Sequence, residues 1–146
     1  MNSQFIKVHT SKNLAVSLVI LIAGVGLFFV NKILGTVIVV CGILSLITLK
    51  TGYKHKGSNV ILQHKMQDLS KTCRQSIIDF LSGKEIDPQV KPGNEGGTVL
   101  IEVWYNKQED ITYVQLSDFS NYTYVKATEL IELHSPKSDK LLSKLL

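Results

Sequence analysis

The sequence predicts a membrane α-helical hairpin of two transmembrane helices, followed by a small cytoplasmic α+β domain in which one amphipathic helix packs on a three-stranded antiparallel meander. Three observations predict it. Two charge-free apolar runs stand close together near the start, a stripe of apolar residues at helical spacing comes next, and segments of alternating Val, Ile, Tyr and Trp come after that. The expected organisation is a cytoplasmic N-terminal segment at residues 1–12, the hairpin at 13–49, a basic juxtamembrane linker at 50–59, and the α+β domain with its C-terminal helix at 60–146.

The hairpin rests on residues 14–30 and 33–49, both rich in Leu, Ile and Val and both free of ionisable side chains. Each such residue near the centre of a spanning helix favours insertion by about 0.3–0.6 kcal/mol. Read as one helix, residues 14–49 would run about 54 Å, against a hydrocarbon core of about 30 Å. The chain must turn, and Asn31 with Lys32 is the polar pair at which to do so. Lys7 and Lys12 precede the runs, Lys50, Lys54 and Lys56 come after them, and only Lys32 lies at the turn. The positive-inside rule then gives a multi-pass protein of the plasma or inner membrane with both ends cytoplasmic. A signal peptide is disfavoured because no small-residue cleavage pattern precedes Asn31, and a lipid-attachment site is disfavoured because Val39 and Val40 precede Cys41. Ala23, Gly24 and Gly26 on one leg, and Gly35, Cys41, Gly42 and Ser45 on the other, either seat the legs together or mediate oligomerisation. With no ionisable group inside either leg, a transporter or pump is disfavoured.

The net charge of +4 hides an asymmetry, for all 12 acidic residues lie at or after Asp68. Lys50, Lys54 and Lys56 are therefore candidate contacts for lipid headgroups, each worth about 1 kcal/mol near an anionic surface. Nucleic-acid binding is not supported, because these lysines belong to no recognisable nucleic-acid fold.

Residues 60–81 place Leu62, Met66, Leu69, Cys73, Ile77 and Phe80 at spacings of three and four, which predicts the amphipathic helix. Residues 82–97 hold Gly83, Pro88, Pro92, Gly93, Gly96 and Gly97 and read as a loop or mobile crossover. The glycines at 93–97 lack the lysine and serine or threonine of a phosphate-binding loop. Residues 98–105 and 111–117 read as strands joined by the polar segment 106–110, with a third strand at 122–126. Period-two geometry puts Val99, Ile101, Val103 and Tyr105 on the face that seats the helix, and Leu100, Glu102 and Trp104 on the other. Trp104 shares its face with Glu102, which allows partial exposure, although such aromatics are more often core. Where exposed, Trp104, Tyr113, Tyr122 and Tyr124 form a candidate partner-binding set. Residues 127–133 fit strand or helix. Ser135 can cap, and Pro136 can open, a last helix bearing Leu141, Leu142, Leu145 and Leu146, of which Leu142 and Leu145 are further candidate partner contacts. Too short to stand alone in water, that helix must dock on the domain, a partner or the membrane surface.

The two cysteines make no disulfide framework, and His9, His55, His64 and His134 have no ligand spacing. No catalytic, cofactor-binding or metal-binding residue is assigned, no small-molecule substrate is evident, and the chain is expected not to be an enzyme. The function expected is that of a membrane-anchored, non-catalytic adaptor or accessory subunit, its partners being the bilayer and a protein or a further copy of itself. The alternatives are a membrane-surface or anionic-lipid sensor and, behind it, a small membrane enzyme or a channel-forming oligomer.

Overall fold

The computed structural model describes residues 4–93 and 98–146, which hold four α-helices and seven strands, with every strand register antiparallel among these residues. Among them only α1 (Ser11–Phe28) is long and apolar enough to cross a membrane; α2 (Lys32–Thr48) is a shorter apolar helix. The expected fold class, two transmembrane helices followed by a domain with a three-stranded meander, is corrected accordingly. Two physical causes stand behind the correction. The second apolar run stops being helical at Thr48, because Leu49 leaves helical geometry at φ −79 and ψ 58. Segments that resemble flank, linker and helix in sequence pair as strands across long stretches of chain, where local periodicity gives no signal. The chain divides into two compact units, Met1–Ile61 and Leu62–Leu146.

In the first unit β1 (Phe5–Val8) pairs with β2 (Gly52–His55) in the register Phe5↔His55 to Val8↔Gly52. The expected N-terminal segment and linker therefore form one ribbon. Between its strands lie α1 and α2. The Thr10 hydroxyl accepts from the Asn13 amide and opens α1. Asn31 opens α2, its side-chain oxygen accepting from the amides of Ile33 and Leu34 at 3.1 Å each, as an N-cap should. Gly24 lies against Val39, Gly35 against Phe28 and Gly42 against Leu21, an order that runs α2 antiparallel along α1 with glycine at each close approach. Gly26 meets nothing, and Cys41 is exposed. At the open end of the pair the Asn13 side chain donates to the Leu49 carbonyl and to Thr51 Oγ1, and His9 Nδ1 lies 3.1 Å from the same carbonyl.

The second unit carries β3 (Ile61–Ser70), a single 3-10 turn (Lys71–Cys73), α3 (Arg74–Leu81), β4 (Thr98–Asn106), β5 (Ile111–Ser120), β6 (Thr123–Lys126), β7 (Ile131–Leu133) and α4 (Lys137–Leu145). Here the expected helix over residues 60–81 is corrected: its first half is strand. The ladder from Ser70↔Thr98 to Gln63↔Tyr105 outweighs the local spacing. Met66, which a helical stripe would bury, is 55% exposed, because in a strand it faces away from Leu69. β6 and β7 pair with successive stretches of β5, and residues 127–130 arch out between them, held where the amides of Ala127 and Thr128 donate to the Leu116 carbonyl.

One face of this sheet carries the core. Leu69, Cys73, Ile77 and Phe80 pack with Val99, Ile101, Val103, Val114 and Leu116, and α4 contributes Leu141, Leu142 and Leu145. Lys65, on the same face, donates to the Leu145 carbonyl and caps α4. Ser135 does not cap α4 as expected; its hydroxyl turns to Asp139, and its amide donates to Asp110 Oδ1. The crossover after α3 is tied down as far as Gly93. The Ser70 amide donates to the Lys91 carbonyl, the Gly93 amide to the Asp68 carbonyl, and both Lys140 and Lys144 pair with Asp87. The rest of the expected glycine turn, residues 94–97, lies outside the described residues.

Candidate functional site

The ribbon formed by the end of β5 and by β6 concentrates the exposed large side chains of the second unit. Its register, Ser117↔Lys126 to Ser120↔Thr123, leaves Asn121 and Tyr122 as a two-residue turn. Both sit at positive φ, 49° and 60°. That is the pattern of the tight hairpin turn that matches strand twist, and it normally takes glycine at the second position. A tyrosine there carries a steric cost that glycine would not, and its ring is 95% exposed. Phe119, Tyr124 and Val125 behind it are exposed as well. Phe119 and Tyr124 are cross-strand partners with ring centroids 5.1 Å apart.

The base of the ribbon is fixed. Arg74 on α3 grips the Asp118 carboxylate from both Nε and Nη2, at 2.8–3.0 Å, in a two-pronged geometry. Hydrogen bonding to Arg74 holds Asp118 below the ordinary carboxylate pKa, and the same bond raises Arg74. Tyr124 Oη donates to Asp68 Oδ1 at 2.6 Å, and this bond raises the tyrosine pKa. Beside the pair opens a shallow groove of about 370 Å³ bordered by Lys71, Arg74, Asp118 and Phe119.

Of the candidate partner contacts, Tyr122 and Tyr124 are on this ribbon. The others are buried. Trp104 is 1% exposed, with its ring stacked on His64 at 4.8 Å, and Glu102 lies 3.5 Å from His64. Sharing a face with a carboxylate did not expose the indole, because the carboxylate itself is shielded and faces a histidine. Tyr113, opposite Trp104 in the ladder, is buried too, and burial raises its pKa. Leu142 and Leu145 belong to the core, where α4 docks on its own unit. Among the lipid candidates Lys50 and Lys56 are exposed, whereas Lys54 is half-buried on β2 and donates to Asn59 Oδ1 at 2.7 Å. Sequence reasoning missed Phe119, Val125 and the Arg74–Asp118 pair. Asn121 between two strand-like runs was the available turn signal.

Among the described residues no group of three or more His, Cys, Asp or Glu side chains could hold a metal ion. No protein family, curated protein or solved structure matches the chain.

Proposed function

We propose that the protein is a non-catalytic adaptor or accessory subunit, anchored in a membrane through α1, with the β5–β6 ribbon as the surface that engages a protein partner. The observation that carries this reading is Tyr122, a fully presented aromatic ring at a backbone position where glycine is the stable choice. Tyrosine is among the residues that dominate binding energy at interfaces, and Phe119 and Tyr124 extend the apolar patch. Support for the anchor comes from the burial of α1: only 11% of its apolar window is buried, whereas the core helix of a water-soluble domain is mostly buried. Leaving that surface in water would cost about 25 cal/mol per Å². Lys7 and Lys12 stand at the start of α1, whose residues after Lys12 carry no charge, which supports a cytoplasmic setting for the N-terminal end of that helix. The lipid-sensor alternative gains nothing from the terminal helix, whose leucines are in the core.

The test is affinity purification of the full chain from native membranes in mild detergent, beside Tyr122→Gly and Phe119→Ser. Tyr122→Gly relieves the turn, so its thermal midpoint should match or exceed that of the parent while one or more co-purifying polypeptides disappear. Unchanged companions in both variants would sink the ribbon as an interface.

A further inference from the structure

We propose that the open end of the α1–α2 pair is a binding site for the headgroup of an anionic phospholipid. Lys12 and Lys50 would meet the phosphate, with Lys7 beyond them on β1. The proposal rests on the reading of α1 as a membrane helix and adds to it a choice of lipid.

Charge is the first argument. The chain holds no carboxylate before Asp68. Among the described residues none of these lysines forms an ion pair, whereas Lys84, Lys140 and Lys144 in the second unit are all matched to Asp79 or Asp87. Cations gathered without counter-charge repel one another, and a ligand that supplies negative charge relieves that repulsion. An anionic headgroup does so at the depth where the apolar helices end.

Order is the second argument. These lysines do not hang on a loose tail. Lys12 lies in the first turn of α1, and Lys50 comes two residues after α2. The two chain segments are clamped together by Asn13, which bonds both the Leu49 carbonyl and Thr51, and by the β1–β2 ladder beyond. Lys7 is held with its ammonium 5.8 Å from the centre of the Tyr53 ring. A scaffold that fixes its cations in advance loses less entropy on binding than a flexible basic tail.

Native mass spectrometry of the full chain, purified lipid-free in non-ionic detergent, tests this with dioleoylphosphatidylglycerol and dioleoylphosphatidylcholine in equal amounts. The expected result is retention of phosphatidylglycerol over phosphatidylcholine by about fivefold or more, a preference that shrinks as ammonium acetate is raised. Lys12→Gln with Lys50→Gln should bring the ratio close to one, and Lys32→Gln at the far end should leave it unchanged. Equal retention of the two lipids by the parent chain, or an equal loss in Lys32→Gln, would overturn the site. Flotation with neutral phosphatidylcholine vesicles separates the two readings. A chain that floats but shows no lipid preference overturns the headgroup site alone, and one that stays unbound overturns the membrane helix as well.

Discussion

In α1 the apolar residues run all the way round, so that Leu18, Val19, Ile22 and Val25 stand exposed while Ser17 and Gly24 are buried. In α4 the arrangement is reversed: Leu141, Leu142 and Leu145 are buried, and Lys140 and Lys144 look outward to Asp87. The first unit joins its helices through glycines at close approach. The second joins its layers by interlocking large side chains, which is how water-driven cores are made. Ion pairs obey the same division, for every pair among the described residues belongs to the second unit. What the contrast teaches is that glycine carries the close packing of one unit and leucine that of the other, so equivalent truncations should have unequal effects.

The largest of these effects is expected in the second unit. Leu141→Ala removes a side chain with no exposure and should cost about 2–5 kcal/mol, read from urea unfolding by the fluorescence of Trp104, the single tryptophan. The matching change on the exposed side of α1, Leu18→Ala, should stay within about 0.5 kcal/mol in detergent. Comparable losses at both positions would erase the contrast.

Of intermediate size is the glycine effect. A Cβ at residue 35 would fall 2.4 Å from the Phe28 backbone, so Gly35→Val must push the helices apart. A penalty of about 1–3 kcal/mol is expected in the detergent melting of the helical circular dichroism signal. At Gly26, where the same atom meets nothing, valine should leave the melting curve in place. If the two variants melt alike, the glycine seam does not hold the pair.

Smallest is the acid response. Asp118 has its pKa depressed by Arg74, so the pair's contribution is complete above the ordinary carboxylate range near about pH 4 and is lost as pH falls through the depressed value. Both side chains are about one-third exposed, which keeps the loss under about 1 kcal/mol. Asp118→Asn should therefore lower the neutral-pH urea midpoint slightly and flatten its decline in acid. Some decline must remain, because Asp79 and Asp87 are depressed in the same direction by Lys84 and Lys144. An acid limb unchanged by Asp118→Asn would show that the Arg74 fork contributes nothing.

Legibility tracks the range of the interactions. The strands at Thr98–Asn106 and Ile111–Ser120 are visible in the sequence because both alternate and lie one short turn apart, and Val99, Ile101 and Val103 do line the core. β1 and β2 are invisible there because each is four residues long and its partner lies beyond both helices. β3 imitates a helix because Leu62, Met66 and Leu69 fall by coincidence at helical spacing, although they divide between two faces of a strand. At the candidate site composition points to Tyr122 and Tyr124, but nothing in composition separates them from Trp104 and Tyr113. That distinction depends on which side of the sheet is covered and on where β6 ends. The turn geometry that singles out Tyr122 is legible only as an asparagine.

The position of α4 in chain order matters for biosynthesis. Leu141, Leu142 and Leu145 are the last contributors to a core whose other members are synthesised much earlier, from Leu69 onward. Until α4 has been made, the apolar face of β4 and β5 has α3 against it but lacks the leucines that complete its cover. A stop codon within α4 would thus leave part of that apolar face open, the kind of surface that chaperones and proteases recognise.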